Sequence, residues 1–390
     1  MVYGTSLVCN GFLDVADNYI MRSDTLLIPG PIELSDNVQK ALDCPSLSHT
    51  GPEFTAIFQR VLQNCRKLFK AHETEGQPIV LAGSGTLGWD IAAANLIDPD
   101  EKVLVLSTGF FGDSFADCLE LYGAKVDKLA APMGEQVPLE EVEKALKRNR
   151  YKAITVTHVD TSTAVLTDVE AVAELAHRIA PDTLIIVDGV CSIGCEEFKF
   201  DEWGIDYCLT ASQKAVGAPP GLSISMISSR ALNQVAARPR SYFASLRKWI
   251  PIMQSYESGK GAYFATPAIQ LINSLDVALK EILADSLESR WAKHRQTSDW
   301  LKDKLVNTLK LKLVTNSKQA AHGLTAVYVE EPGRLISYLK QNGVVIAGGI
   351  HKPIASKYVR IGHMGVSACR EELHHITRCY DLISDELGRP

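Results

Sequence analysis

Two side chains, each placed just past an apolar run, could do carbonyl chemistry together. Asp188 closes the run Leu184-Ile185-Ile186-Val187, and Lys214 follows Tyr207–Thr210 in the stretch Ala211-Ser212-Gln213-Lys214. In an open α/β sheet, ligands bind beyond the carboxyl ends of the strands, so both groups would face one crevice. An aspartate there either caps the following helix or meets a cation. A lysine there either extends its ammonium to water or presents a neutral amine that attacks a carbonyl. The loop after it, with Gly217, Pro219, Pro220 and Gly221, suits a tight, rigid wall beside a ligand.

Two further stretches sit at strand ends. Gly83-Ser84-Gly85-Thr86 lies between a strand and a helix. It is either a simple turn or a phosphate cradle, with helix N–H groups and a positive dipole end facing an anion. It matches neither the dinucleotide fingerprint nor a Walker loop. Thr108-Gly109-Phe110-Phe111-Gly112 places an aromatic after another strand, where it is either core or a surface for a planar ring to stack on. An amine, a carboxylate, a phosphate cradle and a stacking ring are together what pyridoxal 5'-phosphate (PLP) takes from a protein.

A parallel sheet would bring these strand ends together. Candidate strands are Ile79–Ala82, Val103–Leu106, Lys125–Lys128, Ala153–Thr157, Leu184–Val187, Tyr207–Thr210 and Leu222–Ile227. Several are apolar at consecutive positions, as strands covered on both faces are. Helical stretches alternate with them, Leu87–Leu96 being the clearest, so a mainly parallel sheet is expected. From Pro267 the pattern changes to a long helical region with a break near Asp285. Shorter elements follow at Leu324–Val329, Arg334–Lys340, Val344–Ala347 and Val359–His363, with a final helix from about Arg370. This reads as a smaller α+β domain packed on the first.

Bulk properties narrow the partners. With 46% apolar and 22% charged residues, the chain of 390 residues can build a large core. A net charge of −6 without a basic stripe argues against nucleic acid. The nine cysteines are scattered, with no Cys-x-x-Cys, so neither a disulfide framework nor a zinc site is expected. His49, His158, His322 and His363 have no metal-like spacing and are read as structural. No apolar run is long enough for a membrane span. The first twenty residues contain Asp14 and Asp17 but no Lys or Arg, unlike a secretory or transit segment. A cytoplasmic location is the expectation.

The sequence resembles the class V aminotransferases, PLP enzymes of fold type I, and within them the fungal alanine–glyoxylate branch. The resemblance runs from Asp24 to the C-terminal helix. It is carried by Leu26-Leu27-Ile28-Pro29-Gly30-Pro31, Gly83-Ser84-Gly85-Thr86, Val156-Thr157-His158-Val159-Asp160-Thr161-Ser162-Thr163, Val187-Asp188-Gly189-Val190-Cys191-Ser192, Ser212-Gln213-Lys214, Gly261-Ala262-Tyr263-Phe264-Ala265-Thr266-Pro267 and Val359-Arg360-Ile361-Gly362.

The resemblance implies an α/β fold: a large domain with a mainly parallel seven-stranded sheet and a smaller α+β C-terminal domain. The boundaries implied are an arm over 1–29, the large domain over 30–270 and the small one over 271–390. It implies transfer of the amino group of L-alanine to glyoxylate, with serine–pyruvate or serine–glyoxylate transfer as the alternative. Lys214 would be the Schiff-base lysine and proton shuttle, and Asp188 the partner of the pyridine nitrogen. Phe111 would stack on the ring, where relatives often carry Trp, and Val190 would pack on the other face. Ser162 would lie near the ring hydroxyl. Gly85, Thr86 and Gln213 would hold the phosphate; many relatives have His in place of Thr86. Tyr263 and Thr266 would reach the phosphate of the neighbouring subunit in a homodimer. Arg360 would bind the substrate carboxylate, and Gly30 would line a small pocket.

Overall fold

A computed structural model describes residues 24–388; expectations about residues 1–23 lie outside the described residues. All seven expected strands form: β1 (Gln77–Ala82), β2 (Lys102–Ser107), β3 (Lys125–Ala130), β4 (Ala153–Thr157), β5 (Leu184–Asp188), β6 (Tyr207–Ala211) and β7 (Leu222–Ile227). They join in the order β1-β7-β6-β5-β4-β2-β3. Only β7 runs against the rest. β4, β5, β6 and β7 are buried along their whole length; β5 is accordingly an unbroken apolar run up to Asp188, while β4 and β7 bury small hydroxyls between their apolar residues. The edge strand β3 is half-exposed and carries Lys125, Asp127 and Lys128, charges that discourage pairing with another sheet.

Because β1, β2, β5 and β6 share a direction, their carboxyl ends lie along one edge of the sheet. That edge carries Gly83–Thr86, Gly109–Phe111, Asp188 and Lys214. Helix α1 (Thr86–Leu96) starts directly at the first of these turns, and α2 (Phe110–Leu121) at the second. The expected helix at 87–96 is therefore present, one residue longer at its start.

The helical region after Pro267 is α3 (Ile269–Ala284) and α4 (Leu287–Asp303). The break falls at Asp285–Ser286, where the Ser286 hydroxyl caps α4 by accepting the Ser289 N–H. Ile272, Leu275 and Leu279 of α3 pack into the core of the large sheet. A second core gathers Leu27, Leu301, Leu305, Val327, Leu339, Val359, Ile361 and Ile383. It lies against an antiparallel sheet of β8 (Leu324–Tyr328), β9 (Ala347–Gly348) and β10 (Tyr358–Gly362), with β10 central. The last helix, α5 (His375–Glu386), begins later than Arg370. A short 3₁₀ turn at Glu371–Leu373 and a left-handed His374 (φ 51°) hold back its start.

Strand alternation makes β10 a bridge. Val359 and Ile361 point into the second core, while Tyr358 lies in a third cluster with Val159, Cys191, Cys195 and Ala215 from the strand-end loops. The early chain is stitched to the same place. Thr25–Leu26 pairs in parallel with Val344–Val345, and Gly362 N–H donates to the Leu27 carbonyl at 2.7 Å. A Cβ on Gly362 would fall 2.2 Å from the Ile28 carbonyl oxygen, so only glycine permits this approach.

Three histidines are buried as neutral rings. His294 Nδ1 lies 2.8 Å from the Arg290 carbonyl, and its Nε2 accepts the Gly365 N–H at 3.1 Å, a pairing only the neutral ring can make. Burial pushes His294 down to about 3 and His158 down to about 4, and lowers His363 as well. His322 instead pairs with buried Glu196 at 2.6 Å.

For the three lowered rings, the unfolded chain binds protons first on acidification. Their stabilisation is complete above about pH 6.5 and is lost as pH falls toward 4 and below. We expect the urea midpoint to hold level near neutrality and to drop steeply between pH 6.5 and 4. His158 alone would contribute on the order of 3 kcal/mol across that window. A midpoint unchanged down to pH 4 would contradict the buried-neutral assignment.

Candidate active site

One cavity of about 140 Å³ opens at the shared strand edge. Gly85, Thr86, Phe111, Asp188, Val190, Gln213 and Lys214, seven of the residues singled out from sequence, line it, joined by Trp89 and Cys191.

Asp188 ends β5 and is 3% exposed. Its Oδ2 accepts the Trp89 indole N–H at 2.8 Å, and its Oδ1 accepts the Val190 N–H at 3.0 Å. Burial pushes its carboxyl up to about 6 against the pull of these two donors. An unsolvated carboxylate facing a cavity calls for a cation there.

Lys214 crosses the cavity from the loop after β6. Its ammonium donates to the Pro29 carbonyl. Ile32 N–H donates to the Gln213 carbonyl at 3.1 Å, so the segment around Gly30 is tied down on both sides of the lysine. Gly30 has φ +94°, and a Cβ on it would sit 2.3 Å from Lys214 Cδ.

The cradle at the start of α1 is equally tight. A Cβ on Gly85 would come within 2.8 Å of Val190 Cγ2. The side-chain oxygen of Gln213 is buried without a partner beside it. A helix N-terminus, a glycine cradle and a buried carboxylate along one cavity suit a ring bearing a phosphate at one end and a protonated nitrogen at another. These residues therefore fit PLP.

Phe111 is held by its backbone. Asp160, fully buried, accepts the N–H groups of Phe111 (3.0 Å) and Gly112 (3.3 Å) on Oδ2. Its Oδ1 accepts both the N–H (2.9 Å) and the hydroxyl (2.5 Å) of Ser162. The Ser162 oxygen in turn accepts the Phe110 N–H at 2.9 Å. Ser162 thus lies behind the stacking turn rather than in the cavity lining.

Arg360 arrives from β10 and is 9% exposed. Its Nε donates to the Gly348 carbonyl at 2.8 Å and Nη1 to the Thr161 carbonyl at 3.2 Å. Nε and one Nη1 hydrogen are spent, which leaves the second Nη1 hydrogen and both Nη2 hydrogens. Tyr263 (61% exposed, its ring 5.0 Å from that of His49) and the exposed Thr266 lie apart from the cavity within one chain.

Three contributors went unassigned in the sequence. Trp89 lies one helical turn past Thr86, on the same face of α1, a spacing that could have revealed it. Asp160 stood inside a quoted motif without a role. Cys191, inside another quoted motif without a role, also lines the cavity. Among the described residues no group of three or more His, Cys, Asp or Glu could hold a metal ion, and no helix is long and apolar enough to cross a membrane.

A seven-stranded, mainly parallel sheet with a lysine, a buried carboxylate and a phosphate cradle at one edge defines a fold type I transferase site. The aminotransferase class-V family model matches residues 34–376, and the chain belongs to that family. It is 61% identical over 378 residues to alanine–glyoxylate aminotransferase 1 of Saccharomyces cerevisiae, covering 94% of this chain and 98% of that protein. Serine–glyoxylate aminotransferase of Hyphomicrobium methylovorum is 30% identical, over 87% of this chain and 85% of that one. The crystal structure of alanine–glyoxylate aminotransferase from Nostoc superposes with a TM-score of 0.86 at 26% identity, covering 98% of this chain and all (100%) of that one.

The Gly30 contact gives a direct expectation. Gly30→Ala should force Lys214 aside and strain the backbone by about 1–3 kcal/mol. The variant should unfold at lower urea and fail to develop the absorbance of lysine-bound PLP. Normal absorbance at normal stability would show that this contact does not constrain the lysine.

Proposed function

We propose that this chain transfers the amino group of L-alanine to glyoxylate, giving pyruvate and glycine, with PLP carried on Lys214. The observation that carries the reading is the convergence of Lys214 and Asp188 on one cavity, with Arg360 delivered to the neighbouring loop from β10. The 61% identity to the yeast alanine–glyoxylate enzyme, against 30% to the serine–glyoxylate relative, supports alanine as the donor.

Bound PLP supplies an electron sink for carbanion chemistry. The chain supplies the rest. Lys214 would hold the cofactor through its amine and, when that amine is free, would carry the α-proton. Asp188 would pair with the pyridine nitrogen and keep a proton on it. Phe111 and Val190 cover the two ring faces. Gly85, Thr86 and Gln213 would hold the phosphate, and Ser162, expected near the ring hydroxyl, acts from behind by tying the turn that carries Phe111. The Nη1–Nη2 end of Arg360 binds the substrate carboxylate, and Gly30 keeps the pocket small. Exposed Tyr263 and Thr266 reach the phosphate of a partner subunit, which makes the working unit a homodimer. Two half-reactions on one cofactor imply ping-pong kinetics.

A coupled assay with alanine and glyoxylate tests the reaction, with serine as the competing donor. We expect turnover with alanine to exceed that with serine; the reverse would reassign the donor. Lys214→Ala should remove both turnover and the visible band of lysine-bound PLP, and retention of both would sink the assignment. Arg360→Lys should raise KM for alanine at least about tenfold, because an ammonium cannot fork to two carboxylate oxygens. An unmoved KM would refute that role.

A further inference from the structure

The Asp188 carboxylate has one unassigned partner. Trp89 lies on α1, the helix whose N-terminus forms the phosphate cradle, and its ring lines the cavity. Its indole nitrogen is 2.8 Å from Asp188 Oδ2, while Val190 N–H takes Oδ1. Donors on separate oxygens fix the rotation of the carboxylate plane, which a single donor would leave free. An indole N–H can only donate, so this contact favours the ionised oxygen. The indole itself is 7% exposed and stacks on Phe115 of α2, with centroids 5.4 Å apart and planes at 13°. Phe115 is one turn beyond Phe111, so α2 supports the indole with one ring and lines the cavity with another.

We propose that Trp89 is the positioning residue for Asp188, fixing its carboxylate plane and holding it ionised toward the pyridine nitrogen of PLP. This rests on the reading of Asp188 given above. The consequence is a division of labour along α1, whose first turn meets the phosphate while its second aims the group that meets the ring nitrogen. The other ionisable groups facing Asp188 are Asp160, Lys214, Cys191, Cys208 and Tyr207. Of these, only Lys214 favours its charged form. Removing the indole N–H therefore leaves Asp188 with the Val190 N–H and Lys214 to oppose its burial.

The test measures PLP affinity of the full chain against pH. Trp89→Phe keeps an aromatic ring beside Phe115 and deletes the donor. Its dissociation constant for PLP should rise on the order of tenfold at neutral pH, as for a lost hydrogen bond to a charged group. The pH below which affinity falls should move upward, because the carboxylate now takes a proton more readily. A second variant, with benzothienylalanine placed at position 89 by codon suppression, keeps the bicyclic shape without the N–H and must show the same shift. Both variants should bind the carbocyclic PLP analogue, with C–H in place of the ring nitrogen, as tightly as the unaltered chain does. An unmoved pH midpoint in the isosteric variant, or equal loss of affinity for the carbocyclic analogue, overturns the role of Trp89. Failure of the unaltered chain to bind PLP would instead overturn the assignment of Asp188 itself.

Discussion

The site is organised around a carboxylate almost wholly withdrawn from bulk water. Asp188 ends a strand whose five residues are all buried, and an ionised group there is costly unless donors and a cation answer it. Val190 and Trp89 answer part of the charge. The remainder faces the cavity, where Lys214 stands opposite and a protonated ring nitrogen would complete the set. The order of the sheet follows from the same need. Only parallel strands place the ends of β1, β2, β5 and β6 on one edge, and only helices on both faces keep that edge dry.

A second layer of control comes from main-chain carbonyls. Pro29, Gly348 and Thr161 each take a donor from a functional side chain, Lys214 or Arg360. Backbone carbonyls on ordered segments are rigid acceptors, so the amine and the guanidinium are oriented by the fold itself. Tyr358 adds a tie between the two sheets. Its hydroxyl donates to the Ser162 carbonyl and accepts the N–H groups of Ile350 and His351 at 3.1 Å each.

Much of the large sheet was legible in the sequence because burial on both faces writes unbroken apolar runs. All seven strands were found within a few residues of their ends. Asp188 was visible for the same reason, as a charge ending such a run, and Lys214 as the charge that follows one shortly after. The start of the last helix was not visible, because the signal that delays it is a left-handed His374, and histidine carries no strong turn propensity. Trp89 was hidden by its own character. An aromatic on a buried helix reads as core until its N–H is seen to meet Asp188. Asp160 spends all its bonds on neighbouring loops, which no spacing rule reports. Arg360 had no local signal either and came from the resemblance alone. Its place depends on which face of β10 turns toward the large sheet.

The pairing of Thr25–Leu26 with Val344–Val345 has a consequence for how the protein is made. During synthesis, β1 to β7 can leave the ribosome and assemble, carrying Asp188 and Lys214, while the anchor for the Pro29–Gly30 segment is still untranslated. Residues 344–362 supply that anchor, and with it Arg360. Lys214 thus gains its backbone acceptor, and the site gains Arg360, in one late event, when nearly the whole chain has emerged. Until then Lys214 has no finished pocket around it.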